Sequence, residues 1–311
     1  MLSPEQIARF HTQGYLVVEN ILPKDLLGRI RAEYAALLDG LLQEWGLDGL
    51  RDQPFEKQLI EAYRQGQDWF QPLDISLPGD AIAPDTPMHF GPAVFDMVTC
   101  PNVLDAVQSL IGPEITSNPI QHVRIKPPVP DLRADEIRAH IAETDWHQDR
   151  AVALAEADQT EMVTVWLAIT DATLENGCLQ VVPLNDNQEM LPHCPKTQTA
   201  IADGYLDVAQ ARPLPVPAGG AVLFHPLVPH SSLQNRSQNI RWSFDLRYNR
   251  SGHATGRSQF PEFIARSASH PNTALKDWRL WRQMWQEARS RCACAEHIEL
   301  HRWRSDAPTC A

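Results

Sequence analysis

Cationic residues are scarce. Only 27 lysines and arginines stand against 39 aspartates and glutamates, a formal net charge of −12 over 311 residues. Such an acidic chain offers no electrostatic footprint for a nucleic-acid backbone or an anionic membrane, so neither is an expected partner. Long apolar runs are missing too, and none approaches the roughly 20 residues that a bilayer-spanning helix needs. The opening MLSPEQIARF is polar and acidic where a secretory signal is basic and then apolar, so a cytoplasmic location is expected. Six cysteines in so long a chain are too sparse for a disulfide scaffold. Cys292 and Cys294 stand one residue apart and Cys310 lies near the end, a poor match to paired zinc ligands, so all six are expected as reduced thiols. There are no internal repeats or low-complexity tracts.

Hydrophobic residues make up 43% of the chain, enough for a substantial core. One domain over residues 1–311 is expected, with a helical part to about 112, a β-rich core from about 113 to 250 and a helical tail beyond. Ser3-Pro4-Glu5-Gln6 is a capping box with proline at the first helical position, and Gly14 stops that helix. Tyr15 to Asn20 reads as a strand. From Pro23, Leu26, Leu27, Ile30, Tyr34, Leu37, Leu38 and Leu41 recur at helical spacing. Residues 66–90 are rich in proline and aspartate and form either a lid or a plain surface excursion. Asn102 to Gly112 reads as a helix, and Ile115 to Pro128 as one or two strands closed by a double proline. Further strand signals occupy Val163 to Ala172, Glu175 to Pro183 and Ala211 to Pro226. Short strands with turn signals over residues 115–248 imply a mainly β fold with flanking helices, an antiparallel sandwich or a double-stranded β-helix of the jelly-roll, cupin-like kind. Trp278, Trp281 and Trp285 fall on one face of a late helix and read as a core or interface stripe.

The richest stretch is FHPLVPHSSLQNRSQNIRWSFDLRY, Phe224 to Tyr248. A strand delivers histidines into a proline-bounded loop, and a second strand begins at Arg241. Upstream, DWHQD places His147 and Asp149 two apart, so both project from one face of an extended segment. With His230 they form a three-point face of two histidines and one carboxylate that leaves the opposite side open. That donor set suits non-haem Fe(II). His-x-Asp alone is a weak signal in a chain with 12 histidines. Arg241, eleven residues after His230, offers a planar fork that matches a carboxylate. Its rival role is structural, paired with Asp245 or Glu175.

Together, LSPEQIARFHTQGYLVVENIL, DWHQD, ENGCLQVVP and FHPLVPHSSLQNRS resemble the phytanoyl-CoA dioxygenase family of Fe(II)/2-oxoglutarate oxygenases over most of the chain. The resemblance implies that His147, Asp149 and His230 are the iron ligands. It implies that Arg241 and Ser232 bind the C5 carboxylate side of 2-oxoglutarate, that Trp166 lines the co-substrate pocket, and that His122 is a further pocket residue. It makes His225, in the same loop, a structural histidine. Fe(II), 2-oxoglutarate and O2 are then the cofactors, ascorbate a stimulant, and a small molecule the substrate. Asp149 stands where related halogenases carry a small residue, which favours hydroxylation. Two departures are visible: LNDN (184–187) replaces the family's Gly-Ser-His, and residues 80–100 lack the lysine that some members use on 2-oxoglutarate. Trp69, Arg150 and Arg247 are candidate substrate contacts. Two alternatives stay open: a jelly-roll metalloprotein that does not use 2-oxoglutarate, and a binding or regulatory protein on this scaffold without turnover.

Overall fold

The computed structural model describes residues 1–79, 81–132, 141, 144–184, 189–196 and 198–310. Most of the charged insert at 129–144, and Asn185 to Asn187 of the departing loop, lie outside the described residues.

The capping box forms as its residues dictate. The Ser3 hydroxyl accepts from the Gln6 N–H at 3.2 Å, and the Gln6 side chain accepts from the Ser3 N–H at 2.9 Å. The helix α1 (Pro4–Gln13) then ends at Gly14, whose φ of +78° is accessible to glycine at little cost. The following strand and long helix are β1 (Tyr15–Val18) and α2 (Lys24–Glu44). Four more helices, α3 (Phe55–Arg64), α4 (Phe70–Leu73), α5 (Pro92–Val98) and α6 (Pro101–Ile111), precede the β-rich region.

The strands are β2 (Ile115–Lys126), β3 (Thr144–His147), β4 (Met162–Ala168), β5 (Leu179–Val181), β6 (His193–Pro195), β7 (Thr199–Ile201), β8 (Arg212–Leu214), β9 (Ala221–Phe224), β10 (His230–Ser232), β11 (Arg241–Arg250) and β12 (Phe263–Arg266). A single turn, α7 (Asp149–Val152), follows β3, and α8 (Trp278–Ala293) closes the regular structure. All pairings among the described residues are antiparallel. The large sheet runs β1-β9-β4-β11-β2-β12, the small sheet β3-β10-β5-β8, and β6 pairs with β7 alone. This is the two-sheet, jelly-roll architecture expected.

Alternation along β4 shows how the sheets divide the core. Val163, Val165 and Leu167 join the cluster formed with the helices, whereas Trp166 and Ala168 face the small sheet with Leu179, Val181 and Leu214. Ile115 to Lys126 is one strand, not two. Its register against β11 shifts between Asp245 and Arg247, opposite the stretch containing Pro119, where a residue without an N–H is tolerated.

Two expectations need correction. The tail is not only helical, since it supplies β12 to the large sheet. The thiols are not all reduced: Cys194 and Cys310 form a disulfide across 116 residues, with Cα atoms 5.6 Å apart, while Cys100, Cys178, Cys292 and Cys294 are free. The tryptophan stripe is core for Trp281 and Trp285, which are buried against Phe90. Trp278 packs at the edge of the same core, under Arg279 and Arg282. Among the described residues no helix is long and apolar enough to cross a membrane.

Candidate active site

Strand pairing builds the site. β10 runs antiparallel to β3 with His230 directly opposite His147, which brings the two imidazole centroids to 4.2 Å. Asp149 enters two residues after His147. Gln148 between them is extended (φ −115°, ψ 135°), so both side chains turn to one side, but the chain is already helical at Asp149. The pair therefore spans a strand end and a helix start, not a continuous strand. One donor atom from each of His147, Asp149 and His230 lies within 4.8 Å of the others.

The tautomers follow from the partners. His147 Nδ1 lies 2.8 Å from the Asp145 carbonyl and His230 Nδ1 3.1 Å from that of Val228. A carbonyl only accepts, so each Nδ1 carries the proton and each Nε2 presents a lone pair. These Nε2 atoms lie 4.0 and 3.9 Å from the two oxygens of Asp149. Burial, then the neighbouring His230, pull His147 down to about 3, so it is neutral at physiological pH. Burial alone would raise the Asp149 carboxyl. Arg247, the two imidazoles and Thr164 outweigh it and hold the group ionised, well below the ordinary carboxylate range. Oδ2 accepts the Thr164 hydroxyl at 2.6 Å, and Oδ1 accepts from Arg247.

The trio faces a chamber between the two sheets. Thr144, Leu179, Ser231 and Ser232 line it from the small sheet, and Arg124, Thr164, Trp166, Phe224, Arg241 and Asp245 from the large one. Arg241 is buried with its guanidinium 5.4 Å from the Trp166 ring centroid. Among the described residues its guanidinium donates to Ser243 Oγ at 2.6 Å, and its buried Nε finds no acceptor there. Burial pulls the group down to about 10, which leaves it cationic near neutral pH. Neither anticipated structural partner takes it. Asp245 accepts from Arg124 Nε at 2.7 Å, and Glu175 accepts the Arg236 N–H through its carbonyl. Among the described residues Arg241 has no carboxylate within ion-pair distance.

Beyond the chamber lies a larger cavity of about 730 Å³, with His147, Arg124 and Arg247 on the walls of both. Residues 66–90 supply much of its wall, including Phe70, Asp74 and Leu77, and the tail adds Leu300 and His301. That segment is thus a packed wall, with Trp69, Leu73, Ile75 and Leu77 buried.

Ser232 and Trp166 stand in the chamber with Arg241. His122 does not. It lines the outer cavity, with Nδ1 2.9 Å from Asp74 Oδ2. Two suggested substrate contacts are structural. Trp69 is buried and donates to the Leu59 carbonyl at 2.9 Å. Arg150 turns away from both cavities to the carbonyls of Ala157 and Thr160. Arg247 does border the cavities, but its charge is spent on Asp149. His225 lies outside them, its Nδ1 accepting the Leu227 N–H at 3.3 Å. Sequence reasoning overlooked Thr164 as a partner of Asp149. It also overlooked Lys126, which is fully buried and donates to Ser232 Oγ at 2.6 Å. Lys126 opens the Lys-Pro-Pro that ends β2, and a cation closing an apolar strand was its only signal.

The family model for phytanoyl-CoA dioxygenase (PhyH) matches residues 10–243. The chain belongs to this family. A probable phytanoyl-CoA dioxygenase of Caenorhabditis elegans is 25% identical over 257 residues, covering 80% of this chain and 75% of the worm protein. The peroxisomal phytanoyl-CoA dioxygenase of Rattus norvegicus is 24% identical over 265 residues, 80% of this chain and 68% of the rat protein. Among solved structures, the apo form of the non-heme monooxygenase ThoJ superposes with a TM-score of 0.58 at 20% identity, over 92% of this chain and 98% of its own. EvdO2 of Micromonospora carbonacea var. aurantiaca, crystallised with 2-oxoglutarate, gives 0.51 at 18% identity, over 82% and 94%. These structures share the fold.

Proposed function

We propose that this member of the PhyH family is a non-haem Fe(II)/2-oxoglutarate-dependent dioxygenase that hydroxylates a small molecule and releases succinate and CO2. One observation carries the reading. Two imidazoles, each oriented through Nδ1 by a backbone carbonyl, and an ionised carboxylate converge beside a buried arginine that has no carboxylate within ion-pair distance among the described residues. A divalent metal fits these donors because both Nε2 lone pairs are free, both imidazoles are oriented by backbone carbonyls, and the carboxylate is fixed from two sides. His147, Asp149 and His230 would hold it. When bound, ferrous iron with 2-oxoglutarate supplies the oxidising chemistry toward O2 and the substrate C–H bond.

The chain's own work is positional. Thr164 and Arg247 set the angle of the Asp149 carboxylate. Arg241 takes the C5 carboxylate of 2-oxoglutarate in its fork, with Trp166 stacked beneath and Ser232 beside it. Lys126, paired with Arg241 across the large sheet, donates to Ser232 Oγ and so holds it in place. The two sheets keep water out of the space between. Retention of a carboxylate at 149 favours hydroxylation over halogenation.

The test is anaerobic loading with Fe(II), then substrate-coupled succinate release across a metabolite library with 2-oxoglutarate and ascorbate. The expected result is succinate that depends on all of these and is abolished by Asp149→Ala. Undiminished turnover in that variant overturns the iron assignment, and turnover without 2-oxoglutarate points to a different metalloenzyme.

A further inference from the structure

Of the buried arginines that line the two cavities, Arg241 and Arg257 have no carboxylate within ion-pair distance among the described residues, one for each cavity. Arg241 is the first. The second is Arg257, which lines the outer cavity and is 6% exposed. Its guanidinium donates to the Gly256 carbonyl at 2.9 Å and to the Val152 carbonyl at 2.6 Å. Those bonds use two of its five N–H groups and orient the fork, but carbonyls do not neutralise a charge. A buried cation is costly unless an anion answers it. The other arginines on the same walls are already answered, Arg247 by Asp149 and Arg124 by Asp245. Burial brings Arg257 down to about 10, so it remains charged in neutral solution.

We propose that Arg257 anchors the substrate, and that the substrate is an organic anion, a carboxylate or phosphate monoester with an apolar body, seated in the outer cavity. The inference deepens the oxygenase reading and rests on it only for the reaction that follows binding. The cavity's volume of about 730 Å³ is that of a small-molecule site. Phe70, Leu77, Ile120, Phe260 and Leu300 supply apolar walls for the body. The anchor is tied to the metal-binding loop. The Leu154 N–H donates to the Gly256 carbonyl at 3.2 Å, and Gly256 has φ +73° with no room for a Cβ beside Ala153. An anion on Arg257 is thereby indexed to α7, the turn that begins at Asp149. Its apolar body lies along the wall that ends at His147, so the anchor decides which C–H bond faces the metal.

Calorimetric titration with octanoate, octyl phosphate and the neutral octanamide tests this directly. Excess 2-oxoglutarate is present throughout, without oxygen, so that Arg241 is occupied. At least one anion should bind about tenfold or more tightly than the amide, and the better of the two identifies the head group. Arg257→Gln should erase the difference while leaving the 2-oxoglutarate titration unchanged, and Arg257→Lys should restore part of it. Equal binding of amide and anions by the wild type overturns the proposal, as does full discrimination in Arg257→Gln. Should Arg257→Gln fail to fold, the wild-type comparison decides alone. Succinate release is then measured separately in air with Fe(II), 2-oxoglutarate and a panel of apolar anions of the better head group; tight anion binding with no succinate from any of them would count against the oxygenase reading and leave the anchor standing.

Discussion

The Thr164 hydroxyl donates to Asp149 Oδ2 at 2.6 Å, a bond from the middle of the large sheet to the loop that follows the first strand of the small one. It fixes the carboxylate oxygen nearest His230 and leaves Arg247 to fix the other. Loss of such an outer partner typically costs about 10–100-fold in metal affinity. Thr164→Val keeps the shape and removes the donor, and should weaken metal binding by about tenfold. Anaerobic titration with Fe(II), or with Co(II) as a spectroscopic stand-in, reads the change. An unaltered affinity would mean that Arg247 alone sets the carboxylate.

Arg241 is predicted to act on co-substrate binding more than on chemistry. A hydrogen bond to a charged group contributes roughly 1.5–3 kcal/mol, about 10–100-fold in an equilibrium constant. Arg241→Gln should therefore raise the KM for 2-oxoglutarate by about that factor with a smaller effect on kcat. Arg241→Lys should fall between, because a point charge cannot reproduce the fork. Decarboxylation kinetics over a range of 2-oxoglutarate concentrations separate the two parameters. An unchanged KM would return Arg241 to a purely structural role.

How much of this was readable from the chain depends on whether a partner is local or set by register. His147 and Asp149 lie two residues apart, and His230 sits in a proline-bounded loop, so the residues themselves reveal the donor set. The jelly-roll core was visible for the same reason, as short alternating strands between turns. Thr164, Lys126 and the Arg247–Asp149 pair were not visible. Each meets its partner only because particular strands are neighbours, as when β11 places Arg247 opposite Thr164 of β4. Arg150 shows the converse error. It follows Asp149 directly, yet the first turn of α7 swings its side chain away from the cavities. Cys194 and Cys310 escaped because spacing arguments assume local pairing, and 116 residues separate them.

Two histidines outside the candidate metal site, besides His147 within it, make the fold sensitive to acid. Burial, followed by the fields of nearby arginines, lowers His193 and His225 to about 4 each, from an unfolded value near 6.5. Both groups are neutral in either state above that value, so stability there is unaffected by them. As the pH falls from about 6.5 toward 4, the unfolded chain takes up protons that the folded chain refuses, and stability is lost across that window. Chemical denaturation at pH 7 and at pH 4.5 should show a loss on the order of a few kcal/mol. The double variant His193→Gln, His225→Gln should be flatter over the same range. An equally steep decline in the double variant would place the acid sensitivity elsewhere.

The disulfide gives the tail a mechanical role close to the site. Cys310 is bonded to Cys194, and His193 beside it accepts the Gln148 N–H at 3.1 Å. Gln148 separates the two ligand positions His147 and Asp149, and its side-chain amide is held by the carbonyls of Glu189 and Leu227. From the tail, Trp303 packs on the His193 ring at 5.2 Å and donates to the Ala151 carbonyl at 2.7 Å. The bond therefore clamps the chain end against the back of the metal-binding loop. Reducing a disulfide that closes so long a loop is expected to cost about 2–4 kcal/mol, chiefly by freeing the unfolded chain. Thermal melting with and without dithiothreitol should show that loss in the wild type. Cys310→Ser should start from the lowered melting temperature and respond no further to the reductant. A response of equal size in the variant would show that the reductant acts other than through this bond and remove the clamp from the account.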